Sequence, residues 1–472
     1  MLNIMNITNI IKSKGVCLGL LATSLLVSSC GDLDIVPEGK TTLEKTSELE
    51  LLLNQKELYD DPNEFLGIVV NETYGKEFTT VESQLRTNNT LKYAYLSYDE
   101  SVDRAKLNTK DNFYTNVYSE INTMNVLLSK IDGASGNDNL KPAIKAEAQI
   151  TRAYYLFLVA NIYAKQYDEA TIDSENGIAY PTDATIESKP QLPLKECYEK
   201  MLEDCSDENI AALYDNNNIN RITKCGGNAI KAMILFQMKK YSDALPYALK
   251  ALQYNNKIED RSSVLERGSW KLLPNDGNMI LYISPMLDSW DYPSSEQLSL
   301  ETVSLFEEGD YVRDHSDYWD AEYGESDSGI PGCLEAYGYE AYCTPWGFTV
   351  EDVMYMAAEC YIRTGKIQEG LDLVNKVRKN RIDTEHYQPF SASTEKEAMA
   401  LLQRAKFIEC IGSYINFFDR KRWNTEADYK KTIIRDLGEL GKFSIAPDSK
   451  LWVWPFPLRV MQNNSSFKQN YE

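Results

Sequence analysis

Histidine is nearly missing from this chain: His315 and His386 are the only two among 472 residues. They lie far apart, and no Cys/His cluster has the spacing of a metal site, which argues against a zinc centre. Basic residues are outnumbered 49 to 71 by acidic ones, for a net charge of -22. Such a surface repels phosphate backbones and argues against nucleic acid as a partner. There is no Ser-centred nucleophile elbow, no His-Glu zinc helix and no phosphate-cradling glycine loop in the right context. The isolated Gly226-Gly227 reads instead as a loop before a helix. Long apolar runs are also scarce. The single stretch from Gly15 to Val27 is shorter than the roughly 20 residues a membrane-spanning helix needs.

That one stretch is informative. Lys12 and Lys14 precede it, and small residues end it at Val27-Ser28-Ser29-Cys30. A charged start, an apolar core and a small-residue cut site describe a secretory signal, and the ending resembles a bacterial lipobox. The expectation is a signal peptide over residues 1–29, lipidation of Cys30 and a tether over 30–46 containing Gly31, Asp32, Asp34, Pro37 and Gly39. Of nine cysteines, Cys17 would leave with the signal and Cys30 would carry lipid. The remaining number is odd, so a complete disulfide framework within one chain is excluded. Cys360 and Cys410 sit in apolar helical patterns and read as buried thiols. Cys333 and Cys343 flank a Gly/Tyr-rich loop and could pair.

The length suits two or three domains or one large continuous fold. Helical periodicity dominates. Val117, Ile121, Met124 and Leu128 recur at helical spacing between Phe113 and Ile131, and Asp132-Gly133 ends the run. Pro142 opens a second helix reaching about Tyr163. Residues 229–254 and 355–380 repeat one another. Ala232, Leu235, Tyr241, Ala244 and Ala251 correspond to Ala358, Tyr361, Ile367, Gly370 and Val377. Small residues that let two helices approach, with larger ones filling the gap, are the tetratricopeptide pattern. Residues 260–345 differ: they are rich in Gly, Ser, Asp, Pro, Tyr and Trp, with one short strand at Met279–Ile283. Long loops on a compact body tend to carry function.

Several stretches together resemble the SusD/RagB family of outer-membrane nutrient-binding lipoproteins. They are Asp32-Leu33-Asp34 with Pro37, Ile121–Asn125 with Lys145–Ala148 and Arg152–Tyr155, and Ala358–Tyr361 through Arg378. Phe417-Phe418-Asp419 with Arg422-Trp423, the tail Trp454-Pro455-Phe456-Pro457, Asn464 and Gln469-Asn470-Tyr471 complete the pattern. The chain departs from it at Ser413-Tyr414-Ile415-Asn416, where a Glu-Gly-x-Arg run is usual, and at Val460, where an acid is common. The first departure reads as a charged pair replaced by neutral packing. The resemblance implies a mostly all-α fold of tetratricopeptide-like repeats with long ligand-binding loops and a few short strands. It divides the chain into a helical region (47–259), a loop-rich ligand-binding region (260–345) and a C-terminal family region (346–472).

The resemblance also implies function. The protein would be lipid-anchored in the outer membrane at the surface of a Gram-negative bacterium. There it would capture an oligosaccharide and deliver it to a SusC-like TonB-dependent transporter, without catalysis or cofactor. A peptide ligand and a surface glycoside hydrolase are the alternatives. A hydrolase needs two carboxylates at fixed separation, and 71 acidic residues make carboxylates too abundant to point to one pair. Sugars are held by aromatic rings against their C–H faces, with Asp, Asn, Gln and Arg on the hydroxyls. The loop aromatics Trp290, Tyr292, Tyr318 and Trp319, beside Asp288, Asp291, Asp317 and Asp320, are candidate contacts. Tyr93 and Tyr95, with Tyr98-Asp99, form a second candidate patch because the resemblance places this segment on the ligand face. Tyr154, Tyr155, Tyr163, Trp423 and Trp454 read as structural. Asp314, Asp317 and Asp320 are spaced as calcium ligands might be in a loop, but acidic loops are common and no metal is expected. The tail from Trp454 to Tyr471 should lie extended on the body, its two prolines opposing a helix.

Overall fold

Asp111 and Pro142 start the two longest helices. In the computed structural model, Asp111 accepts a hydrogen bond from the Tyr114 amide at 2.9 Å and caps Asn112–Lys130. Pro142 sits in the first turn of Lys141–Tyr163, where no helical partner for its nitrogen is needed. The structure describes residues 43–54, 56–59, 62–74, 81–185, 187–263, 277–286, 296–315, 334–336 and 346–472. The expected signal, Cys30, Cys333 and Cys343 lie outside them.

The helix Lys141–Tyr163 is the centre of the molecule. Every residue from Ile150 to Tyr163 is buried, as expected of a helix enclosed on all sides. Its last carbonyls, which no helical amide can reach, are satisfied from far along the chain. Lys421 Nζ donates to Asn161 O at 2.7 Å and to Ala164 O. The Trp454 amide donates to Ile162 O at 2.9 Å. Asn470 Nδ2 donates to Tyr163 O at 2.8 Å. The C-terminal tail is thus a helix cap. It is not extended throughout: a short helix, Leu458–Asn463, begins directly after Pro457. The expectation failed because both prolines precede that helix rather than interrupt it.

The internal repeat folds as two helical hairpins, Lys224–Gln237 with Tyr241–Tyr254 and Val350–Arg363 with Ile367–Arg378. The starts of both helices shift by the same 126 residues, from 224 to 350 and from 241 to 367. The hairpins pack through Tyr241–Tyr254 against Val350–Arg363. At Gly370 a Cβ would meet Ala358 O at 2.6 Å, so the helix approach requires glycine. Gly226-Gly227 lies inside Lys224–Gln237 rather than before it, and Gly227 serves a close approach rather than a turn: a Cβ there would strike Leu213 at 2.6 Å.

The Phe-Phe-Asp…Arg-Trp stretch is a buried ionic knot. Arg422 donates to both oxygens of Glu359 at 2.6 and 2.9 Å and to Asp419 at 2.9 Å. Lys406 reaches Asp419 at 2.5 Å, and Trp423 Nε1 donates to Glu359 at 2.9 Å. The divergent Ser413–Asn416 segment is not simply neutral packing. Asn416 Nδ2 and the Gly412 amide hold the buried Glu72 carboxylate at 2.7 and 2.6 Å. Strands are few and short, forming five two-stranded sheets among the described residues. Met279–Leu281 is a strand as predicted, paired with Phe348–Thr349. Tyr154, Tyr155, Tyr163, Trp423 and Trp454 are buried, as are the free thiols of Cys360 and Cys410. Leu43–Glu472 forms one unit, with a shared core running from Leu58 to Phe467.

Candidate functional site

Two short strand pairs lie next in sequence to the intervals that contain the candidate aromatics. Glu57–Tyr59 runs parallel to Ser284–Met286, and Glu296–Leu298 runs antiparallel to Leu334–Ala336. Thr73 bridges Leu298, and the Ser299 amide donates to Glu72 O at 2.9 Å. Trp346 Nε1 donates to Tyr59 O at 2.8 Å. Segments 57–59 and 71–73 therefore grip the chain on both sides of residues 287–295. Trp290, Asp291 and Tyr292 belong to that interval; Tyr318, Trp319 and Asp320 fall between His315 and Leu334. All six lie outside the described residues.

The second patch is described. Thr90 Oγ1 accepts from the Tyr93 amide at 3.0 Å and starts the helix Leu91–Leu96. Tyr93 is half-buried at the surface. Nearby, the Asp99 carboxylate accepts from the Ser101 hydroxyl at 2.6 Å and amide at 2.9 Å. Those hydrogen bonds hold the Asp99 carboxyl below its ordinary range. A half-exposed ring beside a fixed carboxylate can cover the C–H face of a sugar and accept from its hydroxyls.

Tyr95 must be corrected. It is fully buried and stacks on Trp454, with centroids 4.8 Å apart and planes 8° apart. Arg104 donates to its hydroxyl at 2.9 Å, and burial raises that hydroxyl's pKa to about 12. Residues two apart on a helix point to different sides, so Tyr93 and Tyr95 cannot share a face. Tyr98 is also buried, its hydroxyl donating to Val69 O at 3.1 Å.

Of the three loop aspartates, Asp317 and Asp320 lie outside the described residues. Asp314 is occupied by the Gly309 amide at 2.8 Å and Arg313 at 2.6 Å. Among the described residues no group of three His, Cys, Asp or Glu could hold a metal ion. Two small pockets, about 40 Å³ beside Lys406 and Asp419 and about 30 Å³ beside Arg378 and Arg404, are nearer the size of a few waters than of a sugar ring. The residues that sequence reasoning missed are Asn71–Thr73, Ser299 and Arg435, which brace the patch and the loop stem. The signal for Arg435 was present in Ile433–Asp436, whose alternation puts the arginine inward with Ile433.

Known proteins agree with this architecture. Residues 42–234 match a family described as starch-binding and associating with the outer membrane, and residues 350–472 match the SusD family. A SusD superfamily protein from Bacteroides thetaiotaomicron shares the fold at 17% identity and a TM-score of 0.67, over 90% of this chain and 99% of its own. A putative sugar binding protein from Bacteroides vulgatus does so at 15% identity and 0.68, over 91% and 99%. The surface glycan-binding protein A from Bacteroides fluxus does so at 15% and 0.65, over 90% and 97%. No curated protein matches significantly. No described helix is long and apolar enough to cross a membrane. On its motifs, its fold and these matches, the chain belongs to the SusD/RagB family of carbohydrate-binding, outer-membrane-associated proteins.

Proposed function

We propose that the protein captures an oligosaccharide at the cell surface and passes it, chemically unchanged, to a SusC-like TonB-dependent transporter. The observation that carries this reading is the match of residues 42–234 to a starch-binding, outer-membrane-associated family. Lipid on Cys30 would hold the body at the membrane. A tether over 30–46 would keep it near its transporter at high effective concentration without a tight interface. Trp290, Tyr292, Tyr318 and Trp319 are the proposed stacking surface, with Asp291 and Asp320 on the hydroxyls. Tyr93 and Asp99 would extend it. Replacing Trp290 and Trp319 together by Ala should weaken binding of the cognate glycan by about 1–3 kcal/mol without unfolding the protein. Isothermal titration after a screen of soluble polysaccharides decides it. Unchanged affinity would move the site toward Tyr93–Asp99. New reducing ends during incubation would overturn the non-catalytic part.

A further inference from the structure

Arg435 is fully buried and has no carboxylate hydrogen-bonded to it. Its five N–H groups nevertheless all find acceptors. Nε donates to Asn71 Oδ1 at 2.9 Å. Nη1 donates to Tyr95 O at 3.1 Å and to Leu96 O. Nη2 donates to Ile68 O and, at 2.8 Å, to the Tyr98 hydroxyl. One guanidinium thus gathers the carbonyl ends of two helices, Asn63–Val69 and Leu91–Leu96, where the helix dipole favours a cation.

The same group clamps two unusual turns. Asn71 and Tyr98 have φ of 60° and 52°, a left-handed conformation costly for a side chain as large as tyrosine. Arg435 bonds both side chains and lies 4.3 Å over the Tyr98 ring. The Tyr98 turn leads to the surface, and the Asn71 turn leads to the buried strand end at Leu298. Tyr98 is followed by Asp99, held by Ser101, and the helix whose carbonyls Arg435 holds carries Tyr93. Asn71 O accepts from Ser299 Oγ and from Thr302 Oγ1 at 3.3 Å, and Thr73 bridges Leu298.

We propose that Arg435 is a positioning residue for ligand binding: from within the core it holds both turns in one frame, aiming the Tyr93–Asp99 pair and fixing the stem at Leu298. The proposal rests on the reading of the protein as a glycan binder. Arginine suits the task because its planar fork serves five fixed acceptors, whereas a lysine ammonium has three donors and no fork.

The test combines amide hydrogen exchange with titration of amylopectin, arabinoxylan and pectin. Arg435→Gln should raise exchange at residues 71–73 and 97–101 at least tenfold more than elsewhere, and raise the Kd of whichever glycan binds at least tenfold. Arg435→Lys should recover only part of either effect. Tyr98→Phe, which removes one acceptor and keeps the ring, should give a two- to fivefold loss and covers the case in which Arg435→Gln fails to fold. Arg152→Gln serves as comparator, breaking the buried pair with Asp204 at 2.7 Å elsewhere in the core. It should lower the urea midpoint and leave Kd within twofold. Turns that keep their protection in Arg435→Gln, or a Kd within twofold of wild type, overturn the role of Arg435 alone; if that variant does not fold, wild-type affinity in Tyr98→Phe does so. Wild-type protein that binds none of the glycans overturns the functional reading and the role with it.

Discussion

Replacing Arg422 by Met should destabilise the body by about 3–5 kcal/mol at neutral pH, the usual cost of orphaning one partner of a buried ion pair. Arg422 and Glu359 are both fully buried, so no water can take over the lost hydrogen bonds. Asp419 would keep Lys406, but Glu359 would keep only Trp423 Nε1. Methionine fills much of the arginine stem's volume and adds no new charge, which isolates the ionic loss. The pH dependence follows from the same contacts. Burial pushes the Glu359 carboxyl up, but the charge and hydrogen bonds of Arg422 outweigh it and hold the carboxyl below its ordinary range. In the native protein this carboxylate stabilises above its unfolded pKa, about 4.3, and the stabilisation is lost as pH falls through the folded value. In Arg422→Met only the Trp423 hydrogen bond and the Lys406 charge oppose the desolvation, and the folded pKa rises above the unfolded one. The variant then suffers most at neutral pH and least once Glu359 protonates. Urea unfolding followed by tryptophan fluorescence at pH 7.5 and 5 should show the gap narrowing. Arg422→Met/Glu359→Met should be more stable than Arg422→Met alone at pH 7.5. A loss below about 1 kcal/mol, or a double variant showing the summed losses of the two single ones, refutes the reasoning.

Three further outcomes are expected. Asn470→Ala should cost about 1–3 kcal/mol by removing its hydrogen bonds to Tyr163 O and Gly177 O, and removal of residues 454–472 should lower the urea midpoint of the whole body in one transition. Gly370→Ala should cost about 1–3 kcal/mol through overpacking, because the neighbour at 2.6 Å is a backbone carbonyl that cannot swing away; the equivalent Ala244→Gly should leave packing intact. Burial pushes the Lys421 ammonium from 10.5 down to about 7. The unfolded chain therefore holds the extra proton between those values, and stability from this group rises with pH from about 7 upward, by at most about 1.4 kcal/mol per pH unit. Comparing wild type with Lys421→Met by urea melts at pH 7 and 9 checks the slope, which the variant should lack.

Much of the helical body is legible in the sequence because its signals are local. Pro142 and Asp132-Gly133 mark helix ends, and the Ala/Gly spacing of the repeat marks helix contacts. What escaped depends on contacts distant in sequence. Gly226-Gly227 looks like a loop until Leu213 is placed beside it. Tyr95 looks like a surface aromatic until Trp454 is stacked on it. Asn416 looks like a neutral replacement until Glu72 arrives from 344 residues away. For the candidate site the sequence supplies residue types in loops, and the structure adds the strand pairs next to those loops in sequence and the Tyr93–Asp99 pair.

The cap on the central helix has a consequence for the order of assembly. Tyr163 O waits for Asn470, 307 residues downstream. At a synthesis rate of roughly 5–20 residues per second, that interval lasts on the order of 15–60 s. Throughout it the helix at the middle of the body has an unfinished end, and the Lys421 and Trp454 contacts that help close it come only in its last part. The molecule is therefore sealed by segments made long after its central helix. Resistance to protease should arrive late and in a single step, and a ribosome that stops short of the tail releases an open chain rather than a nearly complete protein.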